Sequence, residues 1–166
     1  PRLVVVDSVL PWGADWGDDG YLYVVHRGGY AARVRVAGGP LERLTQLDTS
    51  VAEFEHDWPQ MLPGGRKLLV QSWRSSVAMS EALVVDLESG ERTTIAKAAY
   101  ARYLRSGHVI VGTLDGNLSV MPFDPRRGLV TGDPVVIEQN VDFDLTSGAS
   151  QFTVADNGLL LVGPGG

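Results

Sequence analysis

The fold is predicted by one stretch near the middle of the chain, His56-Asp57-Trp58-Pro59-Gln60-Met61-Leu62-Pro63-Gly64-Gly65-Arg66-Lys67-Leu68-Leu69-Val70. It indicates a short strand, a tight glycine-rich turn and a second strand that enters the core, because a turn position with positive φ favours glycine. The apolar run after the turn is typical of a strand buried on both faces.

The same pattern occurs three more times. Its turn glycine is Gly65 in this stretch and Gly20, Gly107 and Gly158 in the other copies. Each of the first three copies continues with another apolar strand and then a more polar one, which makes four strands per period of roughly 40–50 residues. That period predicts an all-β fold, a partial β-propeller of four-stranded antiparallel blades. The alternative is a β-sandwich, which has similar turn signals but need not repeat its turn chemistry at a long period.

We expect about three full blades and incomplete terminal blades within one domain, 1–166. The predicted parts are an outer strand of an incomplete blade (1–7), blade one (12–47), blade two (53–96), blade three (99–137) and the first two strands of a further blade (149–166). A partial ring leaves strand edges and blade faces exposed. We therefore expect a homo-oligomer or completion by missing blades, and the first residue, Pro1, suggests a processed or excised piece.

Composition and motifs exclude several function classes. The chain has 14 basic and 20 acidic residues, so nucleic acid is not an expected partner. No apolar run approaches the roughly 20 residues of a membrane span. The absence of cysteine excludes disulfides and thiolate metal sites. The sequence contains no nucleophile elbow, zinc-binding His pair, EF-hand or kinase motif, so we expect no catalytic residue, no metal and no cofactor.

Strand order predicts a binding face formed by the loops at one end of the blades. No Lys or Arg lies between Arg43 and Arg66 or after Arg127, so this face is an acidic rim with aromatic anchors at Trp73 and Tyr30. It would suit a protein or peptide partner, basic or amphipathic; the alternative is solvated loops whose charge serves solubility. The candidate residues are His26, Arg27, Tyr30, Glu53, Glu55, His56, Trp73, Arg74, Asp142 and Asp144.

His56 has acidic neighbours and raises the alternative of a cation site. Strand alternation puts Glu55 and Asp57 on one side of the strand and His56 on the other, which argues against a compact cluster. We interpret His56 as a structural residue that hydrogen-bonds between blades. We also predict that Trp16 and Trp58 pack at blade junctions.

The stretch from His56 to Arg66 resembles the repeat of TolB-like, WD40-like (PD40) bacterial propellers, usually written W-P-x-F-x-P-D-G-R. The segments 103–107, 116–124, 131–135 and 152–158 are similar to the C-terminal propeller of bacterial serine/threonine kinases, and the resemblance runs from about Trp12 to Gly166. Gly64 and Ser106 stand where the family usually has a turn Asp, which weakens the hydrogen bonding of those turns.

The resemblance implies a non-catalytic binding or assembly module in a periplasmic or other extracytoplasmic location. It would be the sensor or protein-interaction part of a larger bacterial protein, such as a receptor-type serine/threonine kinase. Two alternatives stay open. One is the substrate-gating propeller of a prolyl-oligopeptidase-like serine peptidase, and the other is a structural, self-associating half-propeller.

Overall fold

The computed structural model describes residues 9–155 and 157–165, so the strand predicted over 1–7 lies outside the described residues. Among these described residues, four antiparallel sheets follow one another in sequence. The first has the strand order β1-β2-β3-β4. Its strands are β1 (Val9–Trp16), β2 (Tyr21–His26), β3 (Ala31–Arg35) and β4 (Glu42–Arg43).

The second sheet has the same order, β5-β6-β7-β8. Its strands are β5 (Glu55–Met61), β6 (Lys67–Trp73), β7 (Glu81–Asp86) and β8 (Arg92–Ala96). One turn of 3-10 helix, Thr49–Val51, precedes β5, and another, Val77–Met79, connects β6 to β7. The β6–β7 connection therefore carries local structure of its own.

The third sheet runs β9-β10-β11 and ends in two short strands that both pair with β11. The fourth sheet has two described strands. The bounds are β9 (Tyr100–Leu104), β10 (His108–Gly112), β11 (Leu118–Asp124), β12 (Leu129–Val130), β13 (Val135–Glu138), β14 (Phe152–Val154) and β15 (Leu160–Val162).

The first hairpin of every sheet has the same turn geometry. Gly20, Gly65, Gly107 and Gly158 have φ values of +79°, +69°, +79° and +86°. Each glycine N–H donates a hydrogen bond to the carbonyl oxygen three residues earlier, over 2.9 to 3.3 Å. Residues with a Cβ rarely adopt this left-handed conformation, which explains the glycine at each turn. The strands that follow enter the core, as their apolar runs require.

The hydrophobic core lies between the sheets rather than within one of them. Tyr23, Leu68 and Val70 belong to the cluster between sheets one and two. A larger cluster around Leu69 and Val109 joins sheets two and three. A third cluster, around Ile110, Leu118 and Val141, joins sheet three to sheet four. A sheet of this kind cannot bury both of its faces alone, so each is stabilised by its neighbours.

The predicted fold class is confirmed: the protein is all-β, with antiparallel sheets stacked as the blades of a partial β-propeller. The first two sheets have four strands, the third has five, and the fourth has two described strands. The prediction that Trp16 packs at a blade junction is wrong, because its residue surface is 64% exposed. Trp58 does lie at a junction, since a Cβ on Gly13 of β1 would stand 2.5 Å from its ring. Within the described part of the chain, no helix is long and apolar enough to cross a membrane.

Candidate binding cavity

A cavity of about 980 Å³ lies where the first strands of all four sheets converge. Its walls come from β1, β5, β9 and β14, and its rim from the four glycine hairpins that follow these strands. We call this the hairpin end of the molecule, and the opposite end, which carries the connections between sheets, the loop end. The repeated hairpins therefore surround one common opening.

A row of three aromatic rings crosses the inner part of this cavity. The centroids of Trp58 and Tyr100 lie 5.1 Å apart, as do those of Tyr100 and Phe152, and both pairs meet edge to face. Trp58 Nε1 donates to the backbone oxygen of Ser147 over 2.9 Å. Trp58 itself has a φ of +50°, at the point where the register of β5 against β6 shifts. The row connects the second, third and fourth sheets through their inner strands.

Ion pairs connect the first sheet to the third across the cavity. Arg102 donates to Asp15 over 3.2 Å, and Arg105 donates to Asp18 over 3.0 Å. The other carboxylate oxygen of Asp15 accepts the backbone N–H of Met61. The inner pair is largely shielded from solvent, whereas Asp18 and Arg105 are exposed at the rim. Of the cavity residues that the structure describes, the acidic side chains thus lie on the side of the first sheet and the basic ones on the side of the facing third sheet.

Two further polar contacts hold the walls of the cavity. Gln60 bridges the second and third sheets, because its amide donates to the backbone oxygen of Tyr103 and accepts the N–H of the same residue. Asp19 accepts the phenol of Tyr23 over 2.6 Å. Burial, together with the hydrogen bond and charge of Asp19, raises the pKa of Tyr23 well above its usual range. The cavity is therefore a preformed feature of the packed sheets.

Trp16 is a large apolar side chain of the cavity that stays accessible to solvent. It lines the cavity at the end of β1, yet its residue surface is 64% exposed. On β2, Tyr21 and Tyr23 are buried in the core, whereas Leu22, which pairs with Trp16, is half-buried. The cavity thus presents an unburied indole beside the acidic wall.

The predicted binding face at the loop end is wrong for three of its residues. Glu53, His56 and Trp73 have residue surfaces only 2%, 0% and 8% exposed. Glu53 accepts hydrogen bonds from the N–H of Asp48, the hydroxyl of Ser72 and the guanidinium of Arg92. Burial alone would raise the pKa of Glu53, but the hydrogen bonds from His56, Asp48 and Ser72 hold it well below its usual range.

His56 belongs to the same buried network. Its backbone N–H donates to the oxygen of Gly29 over 2.7 Å, and its Nδ1 lies 2.8 Å from Thr45 Oγ1. Its Nε2 lies 3.1 Å from Glu53. Gly29 and Thr45 flank strands of the first sheet, so His56 hydrogen-bonds between blades, which agrees with its interpretation as a structural residue.

The other predicted face residues stay at or near the surface. His26 stacks on Tyr30 with the ring centroids 4.3 Å apart, and the guanidinium of Arg43 covers the same tyrosine. Arg27 is exposed, and Arg74 pairs with Glu81 over 2.7 Å.

In the loop before β14, Asp142 and Asp144 are exposed. The Asp144 carboxylate accepts the N–H groups of Thr146 and Ser147, so it is used by its own turn.

Glu55 and Asp57 lie below the loop end, facing the junction with the third sheet. Asp57 is 2% exposed, and burial, with the charge of Glu55, raises its pKa to about 8. Burial also raises the pKa of the half-buried Glu55. Among the residues that the structure describes, no group of three or more His, Asp or Glu side chains is arranged to bind a metal.

The sequence analysis missed the cavity, although a signal for it is present in the repeat. The fifth residue before each turn glycine is Asp15, Gln60, Arg102 or Thr153, and all four line the cavity. Inner-strand positions that point into a buried core would be apolar. Polar residues at this equivalent position therefore indicate a channel facing solvent or a ligand.

Comparison with known proteins bears on the fold. No protein-family model matches the chain, and no curated protein sequence matches it significantly. The crystal structure of TolB from Acinetobacter baumannii matches with a TM-score of 0.56 at 18% identity, over 76% of the chain. The chain has a TolB-like propeller fold. The crystal structure of the tricorn protease matches equally well, with a TM-score of 0.56 at 15% identity, over 88% of the chain.

The TolB-like fold occupies only a part of either neighbour. The chain spans 32% of TolB and 13% of the tricorn protease. At these identities the likeness concerns the arrangement of the sheets and not the chemistry of the cavity.

Proposed function

We propose that this chain is a non-catalytic binding module that takes a peptide segment of a partner protein into the cavity at its hairpin end. The observation that carries the proposal is the exposed indole of Trp16 on the wall of a preformed cavity. Sites for small ligands and peptide side chains are concave, mostly preformed and about 300–1,000 Å³ in volume. Tryptophan is among the residues that dominate binding energies at protein interfaces.

The chemistry of the walls defines the class of peptide. The aromatic row of Trp58, Tyr100 and Phe152 offers an apolar surface for a side chain at depth. At the rim, Asp18 pairs with Arg105 but is 82% exposed, so its carboxylate is also accessible to a basic group of an incoming chain. A segment with an apolar or aromatic residue next to a basic residue satisfies both surfaces. Because the arginines of the facing wall pair with aspartates, the cavity offers binding groups rather than an unpaired acid–base couple.

We place the module in a larger bacterial protein, with an extracytoplasmic location. The support is the resemblance of its repeat to TolB-like propellers and of its third and fourth copies to kinase-linked propellers. A receptor-type serine/threonine kinase is the parent that this resemblance favours. The match to a neighbour described as a protease, over 88% of the chain, favours a second candidate, the gating propeller of a peptidase. A kinase domain or a hydrolase domain encoded in the same gene separates the two.

Association through the fourth sheet is part of the proposal. The described part of this sheet has two strands, and Leu159 and Leu161 are largely exposed on it. Exposed strand edges and apolar faces favour pairing with another chain or with further blades. Light scattering measures the outcome: a mass above that of one chain supports self-association, and a strictly monomeric solution contradicts it.

Selection from a displayed peptide library tests the cavity. Peptides selected on the protein are titrated by calorimetry into wild type, Trp16→Ala and a matched control, Phe54→Ala, whose aromatic ring is exposed at the loop end. Loss of an interface tryptophan is expected to weaken binding by about 2 kcal/mol or more, roughly 30-fold. Phe54→Ala should bind like wild type. If Trp16→Ala binds normally and Phe54→Ala does not, the site lies at the loop end and the proposal is wrong.

A further inference from the structure

Two buried oxygens lack a hydrogen-bond donor at the junction of the second and third sheets. Asp57 on β5 and Gln71 on β6 are directly opposite each other, and each residue is 2% exposed. Within the described residues, Asp57 Oδ1 and Gln71 Oε1 have no hydrogen-bond partner. Residues directly opposite in an antiparallel pair have Cβ atoms about 4.5–5.5 Å apart, so the two groups share one small volume. An unpaired buried carboxylate is costly, and the site needs something that neutralises it.

The orientation of Gln71 is set by the neighbouring sheet. Its Nε2 donates to the backbone oxygen of Ala98 over 2.5 Å. This contact uses one of the two N–H groups of the amide and sets its orientation, and the carbonyl oxygen is left without a partner among the described residues. The amide is therefore held in place before any ligand arrives.

A second carboxylate lies on the same side of β5. Glu55 is two residues before Asp57, and alternate residues of a strand share a face. The charge of Glu55 adds to burial in raising the pKa of Asp57, which agrees with their proximity. Glu55 is half-buried, so it connects the buried pair to solvent and gives a ligand a path to reach it. The three side chains offer two carboxylates and one amide oxygen.

Either a proton or a cation could neutralise the charge of Asp57, but the two differ in how many of the three side chains they bind. One proton on Asp57 could be donated to the oxygen of Gln71, but the half-buried Glu55 would keep its negative charge beside that pair. A hard cation can be coordinated by carboxylate and amide oxygens at the same time, and water molecules complete its coordination. We propose that Glu55, Asp57 and Gln71 form a binding site for a hard divalent cation of the Ca²⁺ type, at the junction of the second and third sheets. The site is separate from the cavity at the hairpin end and does not depend on the function proposed for it.

Calcium titration of chelator-treated protein tests the proposal. A ligand present at about 100 times its Kd should raise the Tm of a protein of this size by roughly 5–10 °C, measured by scanning calorimetry. Asp57→Asn and Glu55→Gln should each abolish most of that rise. Asp142→Asn, which removes an exposed carboxylate in the loop before β14, is the matched control and should keep the rise in Tm.

A second readout guards against variants that fail to fold. Tb³⁺ can replace Ca²⁺, and it luminesces when a nearby indole is excited; Trp73 stands directly opposite Glu55. Sensitised luminescence that calcium displaces in wild type, and that is lost in a folded Asp57→Asn variant, supports the site. Absence of any calcium-dependent shift in wild type overturns it. An Asp57→Asn variant that responds to calcium as wild type does also overturns it. So does an Asp57→Asn variant that is more stable than wild type both with and without calcium, because a proton then neutralises Asp57 in the wild-type protein.

Discussion

Replacement of Glu53 by glutamine should strongly destabilise the protein, although the charge removed is near the loop end. The carboxylate is fully buried and accepts the N–H of Asp48, the hydroxyl of Ser72 and the guanidinium of Arg92. It thereby joins the segment before β5 to β6 and β8. Through His56 it also reaches the first sheet. Glutamine has the same shape, but it carries no charge and its amide nitrogen faces other donors.

The size of the effect follows from these contacts. Removal of one partner from a buried charge pair costs about 3–5 kcal/mol, because the remaining charge loses its compensation. Proteins of this size are stable by only about 5–15 kcal/mol, so the loss is a large share of the total. With roughly 2–4 °C of Tm per kcal/mol, we expect Glu53→Gln to melt about 6–20 °C below wild type.

Scanning calorimetry and urea unfolding measure the difference, and Glu42→Gln is the matched control. Glu42 forms an ion pair with Arg33 over 2.9 Å, but the Glu42 side chain is 44% exposed and that of Arg33 is partly exposed. Exposed ion pairs contribute about 0.2–1 kcal/mol, so this variant should stay within a few degrees of wild type. If the two variants melt together, Glu53 is not part of a stabilising network and the reasoning fails.

Two further predictions concern turns. Gly148→Ala should lower the free energy of unfolding by about 2–5 kcal/mol, because φ is +70° and the new Cβ would lie 2.4 Å from the Trp73 ring. Gly158→Ala, at φ +86° with open space around it, should lower it by only about 1–2 kcal/mol. Equal losses of the two variants in urea unfolding would contradict this prediction. Arg66 holds the pKa of Asp86 well below its usual range, so the ionised form stabilises the fold above about pH 4 and that contribution is lost as the pH falls further. Asp86→Asn should therefore be less stable than wild type at pH 7, and its stability should fall less steeply as the pH drops below about 4. If its stability depends on acid pH as that of wild type does, Asp86 is not the stabilising carboxylate.

The turn chemistry explains why the fold could be predicted and the site could not. Gly65 needs a left-handed conformation that depends only on its own backbone, so it is visible in the sequence as a glycine. The exposure of Trp73, by contrast, depends on contacts with a distant segment of the chain, because Gly148, in the loop before β14, packs against its ring. Loop position suggested an exposed anchor for a partner, and packing made it a buried residue.

The sequence alone determined the repeating unit of this protein: the glycine hairpins, the apolar strands after them and hence the stacked four-stranded sheets. Those features arise from local backbone sterics and strand periodicity, which short stretches specify by themselves. Only the tertiary structure decided which side chains share a cavity, as with Asp15 and Arg102, whose ion pair joins the first and third sheets. The reason is physical: burial, ion pairing and pKa depend on distances between residues far apart in the chain, and those distances exist only once the sheets have stacked.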